Sequence, residues 1–338
     1  MTETPAGTAL VTRFDAVLSD LDGVVYAGPH AIPGAVAALR RLGGLGLGLA
    51  YVTNNASRTP EQVAAHLREL GAPADDDQVV SSAQAGAALV AERFPEGTRV
   101  LVIGSDALRR EVTAVGMEIV GHADDKPGVV IQGFDPNLGW HDLAEAAYAI
   151  NGGAAWVATN TDLTIPRDRG IAPGNGSLVG AVRQAVDVDP LVAGKPEAPL
   201  FRTAAARLGA TRPLVVGDRL DTDILGGNNA GMATALVLTG VDTALAALSA
   251  RTAERPDFLL ATLDDLYTGY PVVRRDGDAF TCGGAMAVVV DGGLRVGGAA
   301  DDLDAWRAAC AAWWSSTPEL AAAAAPTIAW GTVGERQR

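Results

Sequence analysis

Four short pieces of this sequence carry residue types that could do chemistry together. Asp20-Leu21-Asp22-Gly23-Val24 follows an apolar run at 16–18 and sets two carboxylates at i and i+2. On an extended chain such residues project to the same side, so both can face one ligand. A calcium loop would want glycine at its sixth position and a glutamate further on; here Gly23 is fourth and no such glutamate follows. Thr53-Asn54-Asn55 leaves the apolar run 47–52 with a hydroxyl and backbone N–H groups. Gly194-Lys195-Pro196 holds a lysine between a permissive and a rigid residue. Val215-Val216-Gly217-Asp218 ends an apolar run in an acid, with Asp221 and Asp223 just beyond. Taken singly, each piece also reads as an ordinary turn, a solvated lysine or a helix cap. Taken together, Asp20, Asp22 and Asp218 are hard oxygen ligands. His30, His66, His122 and His141 are scattered singly, and Cys282 and Cys310 are too far apart for a metal knuckle. Few ligands, all oxygen, is how Mg²⁺ is held. A carboxylate nucleophile beside that ion, with Lys195 and Thr53 on the remaining oxygens, would suit phosphoryl transfer, which leans on positioning and charge stabilisation.

These pieces need a scaffold, and the chain supplies one by alternating short apolar runs with helical stretches. Strands are expected at 15–18, 47–53, 100–103, 129–132, 156–159, 214–216 and 234–238, with helices between most of them. This order implies a mostly parallel sheet covered on both faces, an α/β fold, and in such sheets ligands bind beyond the strand C-termini. One helix start is sharply marked: Thr59 caps, Pro60 occupies the first turn, Gln62 completes a capping box, and Val63, Leu67 and Leu70 form an apolar stripe ended by Gly71. Gly44-Leu45-Gly46-Leu47-Gly48 precedes a strand instead of following one, so it is a loop and not a dinucleotide fingerprint. From about residue 271 the pattern changes to a hairpin turning at Asp291-Gly292-Gly293. A helix follows, with Leu303, Trp306, Cys310 and Trp313 on one face, read as packing. The tail thus reads as a separate ββα appendage of unknown role.

In order, D-x-D-G-V, T-N-N, G-K-P and G-D-x-x-x-x-D resemble the four motifs of the haloacid dehalogenase (HAD) superfamily of phosphatases. The resemblance runs from about residue 15 to 266 and implies a Rossmann-like parallel-sheet core. It implies Asp20 as the nucleophile that forms an aspartyl-phosphate and Asp22 as acid, then base. It places Mg²⁺ on Asp20, the Asp22 carbonyl and Asp218, with Asp223 supporting from behind. Thr53, Asn54, Asn55 and Lys195 are the implied phosphate-binding set. A dehalogenase would not require Asp22 or Asp218, and a mutase would carry its insertion after the first motif. Here the long insertion follows the second motif, which resembles the p-nitrophenylphosphatase/phosphoglycolate phosphatase branch. Thr159-Asn160-Thr161-Asp162 and Pro173-Gly174-Asn175-Gly176-Ser177 match that branch's cap signature. The expected organisation is core at 1–86, α/β cap at 87–189, core at 190–270 and appendage at 271–338. Between the signature pieces, Ile165-Pro166-Arg167-Asp168-Arg169-Gly170 is a polar loop suited to a small polar alcohol. Asn160, Asp162, Arg167 and Asp168 are therefore the candidate specificity residues, although Arg167 and Asp168 could equally pair with each other. The resemblance implies a small phosphate monoester as substrate, glycerol 3-phosphate first, with phosphoglycolate or p-nitrophenyl phosphate as alternatives, and homo-oligomerisation through the cap. The reading from another class is a binding or scaffold protein acting through cap and tail.

Composition narrows the classes further. The 338 residues carry 40 acidic against 26 basic side chains, a net charge of −14, which argues against nucleic acid as a partner. Hydrophobic residues make up 48%, enough for real cores, while no apolar stretch has the length of a membrane span. The start of the chain lacks a basic flank before an apolar core, and its two cysteines read as reduced thiols, so a cytoplasmic enzyme is expected.

Overall fold

The computed structural model describes residues 7–167 and 169–331. The chain divides into two compact units: Leu49–Ala210 forms one, and the segments ending at Gly48 and beginning at Thr211 form the other. The expected boundaries at 86/87, 189/190 and 270/271 follow the motifs and belong to the reading proposed below.

In the unit built from the two outer segments, four parallel strands lie in the order Phe258–Leu260, Ala233–Val237, Pro213–Gly217, Ala16–Ser19. Ala16–Ser19 and Pro213–Gly217 are buried along their whole length, as expected of strands covered on both faces. Because Ser19 sits opposite Val216, both chains leave the sheet at the same edge, one residue later at Asp20 and two later at Asp218. Helix Ala35–Gly44 buries Ala35, Ala38, Leu39 and Leu42, and the glycine run after it is a helix-to-strand loop, as read from the sequence.

The tail is larger and less separate than expected. Five strands, Arg274–Asp276, Ala279–Cys282, Ala285–Val290, Gly293–Gly297 and Ile328–Trp330, form a sheet in chain order. The hairpin turns where predicted, with Asp291 and Gly292 both at positive φ (51° and 76°), the pairing that matches strand twist. Helix Leu303–Ser316 covers this sheet, but its fully buried face is Ala305, Ala308, Ala309, Cys310 and Ala312. Leu303, Trp306 and Trp313 are only partly buried beside it. Small residues let the helix approach the sheet closely, so the tryptophans are displaced to its flanks, where Trp306 meets Trp330 edge to face at 5.0 Å. Leu220, Ile224, Leu236, Leu248 and Leu259 share one core with Ala287, Leu294, Val296 and Ala308 of the tail. The outer strands and this common core escaped sequence reading because Arg274–Asp276 is exposed throughout and carries no apolar alternation.

In the other unit, five parallel strands lie in the order Leu191–Val192, Ala155–Ala158, Val129–Gln132, Arg99–Ile103, Glu118–Val120. Gly48–Thr53 pairs in parallel with Val79–Ser81. Helix Pro60–Glu69 starts as predicted: the Thr59 hydroxyl accepts from the Gln62 N–H, the Gln62 side chain returns the bond, and Val63 and Leu67 are buried. A second capping box, Ser81 with Gln84, starts helix Ser82–Arg93.

Candidate active site

The sheet edge in the first unit collects the acids. Asp20, Asp218 and Asp223 each offer a carboxylate oxygen, and these atoms lie within 4.8 Å of one another. Exposures of 8%, 2% and 1% put all three in a low-dielectric setting. Three like charges so close and so buried repel strongly and are costly to desolvate, so the arrangement calls for a cation among them. The donors are all hard oxygens, which suits Mg²⁺.

Backbone groups aim the acids. The Val241 N–H donates to Asp218 Oδ2 at 2.8 Å, and the Asp242 N–H donates to the Asp218 carbonyl at 3.0 Å. Asp242 in turn accepts from the Leu220 N–H at 2.7 Å. The Arg219 N–H donates to Asp223 Oδ2 at 3.2 Å. Asp221 is turned to the surface, gripped by the Arg219 guanidinium at 2.8 and 3.0 Å; that bond holds the arginine pKa above its ordinary value.

Room for the acids is made by glycines. A Cβ on Gly240 would stand 2.0 Å from Asp218 Oδ2, and one on Gly23 would stand 2.1 Å from the same atom. Gly23 also takes φ +77°, and its carbonyl accepts from Thr239 Oγ1 at 2.7 Å. A Cβ on Gly217 would overlap Asp223. Sequence reading missed Thr239, Gly240 and Val241. The available signal was a glycine two residues after the strand expected at 234–238, on the ligand-binding edge.

Asp22 stands apart from this trio. Its residue is exposed, and the Tyr26 hydroxyl donates to Asp22 Oδ2 at 3.5 Å. The expected metal set named Asp22, through its carbonyl, and left Asp223 in support; the carboxylates brought together here are those of Asp20, Asp218 and Asp223.

The second unit gathers the remaining motifs around Asn54. Asn54 Oδ1 accepts from the Lys195 N–H at 2.8 Å, and Asn54 Nδ2 donates to the Lys195 carbonyl at 3.0 Å. Nδ2 also donates to the Asp162 carboxylate at 3.0 and 3.2 Å. The Asn54 carbonyl accepts from Asn160 Nδ2 at 2.7 Å and from Ser82 Oγ at 2.6 Å. Behind it, Asn175 Nδ2 donates to the Asn160 carbonyl at 2.7 Å. The Asn54 carboxamide is therefore a clamp on the Lys195 backbone. Lys195 is buried, as is Asn160. Asn55 is exposed, and its Oδ1 accepts from the Ser57 N–H and hydroxyl, forming a turn. Its own N–H donates to Thr53 Oγ1 at 3.1 Å. Gly194 is required where it stands, since a Cβ there would meet Asn54 Oδ1 and the Thr159 carbonyl at 2.5 Å. Of the expected specificity residues, Asn160 and Asp162 belong to this clamp, while Asp168 and the Arg167 side chain lie outside the described residues.

Parallel strands that carry a buried acid trio beyond their C-terminal edge place the chain among α/β proteins built to hold a divalent cation there. A family model of haloacid dehalogenase-like hydrolases matches residues 17–118, and a second HAD-like model matches residues 192–266. The D-glycerol 3-phosphate phosphatase of Mycobacterium tuberculosis is 48% identical over 259 residues, which is 77% of this chain and 72% of that protein. An acid sugar phosphatase of Staphylococcus aureus is 39% identical, across 68% of this chain and 89% of its own length. A crystal structure of a Mycobacterium tuberculosis glycerol phosphate phosphatase with magnesium superposes at a TM-score of 0.84, with 42% identity, covering 96% of this chain and 95% of that one. A p-nitrophenyl phosphatase from Archaeoglobus fulgidus gives 0.69 at 30% identity, covering 75% and 98%. The chain belongs to the haloacid dehalogenase-like hydrolases. Within them it is a phosphoric monoester hydrolase, a Rossmann-like core carrying an inserted α/β cap.

Proposed function

We propose that the chain hydrolyses a small phosphate monoester, glycerol 3-phosphate before others, through a covalent phosphate on Asp20 with Mg²⁺ as cofactor. The observation that carries this reading is the buried trio Asp20, Asp218 and Asp223 at the end of two neighbouring parallel strands. Bound there, Mg²⁺ would neutralise the carboxylates and offset charge on the phosphoryl group.

The steps then belong to the side chains. An Asp20 oxygen attacks phosphorus and the ester oxygen departs, taking a proton from the Asp22 carboxyl. The Asp22 carboxylate next removes a proton from a water that attacks phosphorus; the Asp20–phosphate bond breaks, and both residues return to their starting states. The exposure of Asp22 suits a group that must meet a substrate arriving from solvent. Thr53, the Asn54 N–H and Lys195 carry the phosphoryl oxygens in this reading, on the strength of the motif match. The segment 87–189 acts as the specificity cap, and the enzyme works in the cytoplasm, as a homo-oligomer through that cap. Among the described residues no helix is long and apolar enough to cross a membrane.

The named relatives are a D-glycerol 3-phosphate phosphatase and an acid sugar phosphatase, which favours small polyol phosphates. A panel of phosphate esters compared by kcat/KM in Mg²⁺ should rank glycerol 3-phosphate first. Phosphoglycolate or p-nitrophenyl phosphate leading by tenfold would displace it. Asp20→Asn should abolish turnover while the circular dichroism spectrum is kept; substantial Mg²⁺-dependent activity in that variant would sink the mechanism.

A further inference from the structure

We propose a second metal site, for a borderline-soft divalent ion such as Zn²⁺, formed by His122, His141 and Glu145. The sequence scatters its histidines, yet the fold brings His122 and His141 together with Glu145, with ligand atoms within 4.8 Å of one another. His141 and Glu145 stand at i and i+4 on helix Trp140–Asn151 and so share one face. His122 lies two residues beyond the edge strand Glu118–Val120.

The three positions are held by backbone contacts that do not depend on an ion. The Ala123 N–H donates to Glu145 Oε2 at 2.7 Å, which ties the residue after His122 to the helix and fixes the carboxylate. The Gly121 and His122 N–H groups donate to Asp125 Oδ2 at 3.2 and 3.0 Å, and Arg99 holds the Asp125 carbonyl at 2.6 Å. Asp142 caps the helix start through the Gly139 N–H at 2.8 Å. Both imidazoles are exposed and Glu145 is half-buried, so only side-chain rotation is needed to bring the ligands to the about 3.3 Å spacing of a tetrahedral site.

Ligand chemistry separates this site from the acid trio. Two imidazoles and a carboxylate suit zinc, nickel or copper, whereas an all-oxygen set suits magnesium. Three protein ligands on an exposed surface leave a position for water. Since the ligands join the turn after an edge strand to a helix packed on the same sheet, the bound ion would pin that edge of the unit and take no part in phosphate hydrolysis.

The test uses the full chain without a histidine tag, dialysed against ZnCl₂ in excess MgCl₂ so that magnesium occupies the acid trio. One equivalent of zinc is expected in the parent and in Asp218→Asn. Affinity should fall by ~100-fold or more in His122→Ala and His141→Ala, which remove ligands outright. Co²⁺ in place of zinc should give the intense visible absorption of a four-coordinate site, lost in both histidine variants. Their hydrolysis of p-nitrophenyl phosphate in Mg²⁺ should be unchanged. No zinc uptake, uptake unaltered by both histidine variants, or uptake lost only in Asp218→Asn would overturn the proposal.

Discussion

Asp218 sits where two glycines and one backbone amide converge, and each of these contacts has a separate physical purpose. The amide of Val241 aims Oδ2, while Gly23 and Gly240 keep the volume around that atom free of any Cβ. Gly240→Ala would place carbon 2.0 Å from the carboxylate, so the acid or the loop must shift. A displacement of about an ångström at a reacting centre can cost ~100-fold in rate. We expect Gly240→Ala to lower kcat/KM by that order and to raise the Mg²⁺ concentration for half-activation, with far-UV dichroism unchanged. Wild-type kinetics in this variant would show that the loop after the strand Ala233–Val237 does not set the Asp218 geometry. Asp20 and Asp218 were legible in the sequence because each comes at the close of an apolar run. Gly240 and Val241 were not, because a loop glycine shows its purpose only once its neighbour is known.

At the scale of elements, the clamp on Asn54 links three segments that are distant along the chain. Strand exit 53–55, loop 159–162 and loop 194–196 are bound through Asn54, Asn160 and Asp162, and helix Asn175–Arg183 anchors the middle loop through Asn175. Asn160→Ala removes a buried donor to the Asn54 carbonyl and an acceptor for the Asp162 N–H. Each such bond is worth ~1 kcal/mol, and a change of ~1.4 kcal/mol is tenfold in an equilibrium constant. KM for the phosphate ester is expected to rise about tenfold, with kcat reduced less, because loss of this bond loosens the backbone that presents Lys195. Steady-state kinetics alongside a thermal melt would decide the matter. A lower melting temperature with unaltered KM would reduce Asn160 to a purely structural residue. Sequence reading placed Asn160 and Asp162 near specificity through the family signature; hydrogen bonding gives them a second task that no spacing rule encodes.

For the whole molecule, the tail decides whether the outer-segment unit can stand alone. Leu220, Ile224, Leu236, Leu248 and Leu259 are at most 6% exposed, and they share a core with the tail sheet and its helix. Uncovering side chains of this size costs roughly 1.5–3 kcal/mol each, and a whole domain is stable by only ~5–15 kcal/mol. Deleting 271–338 should therefore give an aggregating chain without a cooperative melt. A soluble truncated protein with parental stability would restore the separate appendage expected from sequence. The same core holds both thiols. Burial, reinforced by Asp304, pushes Cys282 up to about 12, and burial pushes Cys310 up as well. With pKa values this far above pH 8 the thiolate is scarce, so neither should react with a disulfide reagent until denaturant opens the core. Rapid labelling of the native protein at pH 8 would contradict this packing.

Local chemistry alone determined the parallel α/β class, the start of helix Pro60–Glu69, the Asp291-Gly292 hairpin and the acids at 20, 22 and 218. These depend on periodicity, caps and residue type, which neighbours in the sequence supply. Only the tertiary structure decided that Asp223 joins the carboxylates, that Asn54 clamps Lys195, that the tail shares a core with strands Ala233–Val237 and Phe258–Leu260 and that His122 meets His141. Each of those pairs segments far apart in the chain, and which side chains meet is set by strand register and helix packing, quantities that no local window of sequence contains.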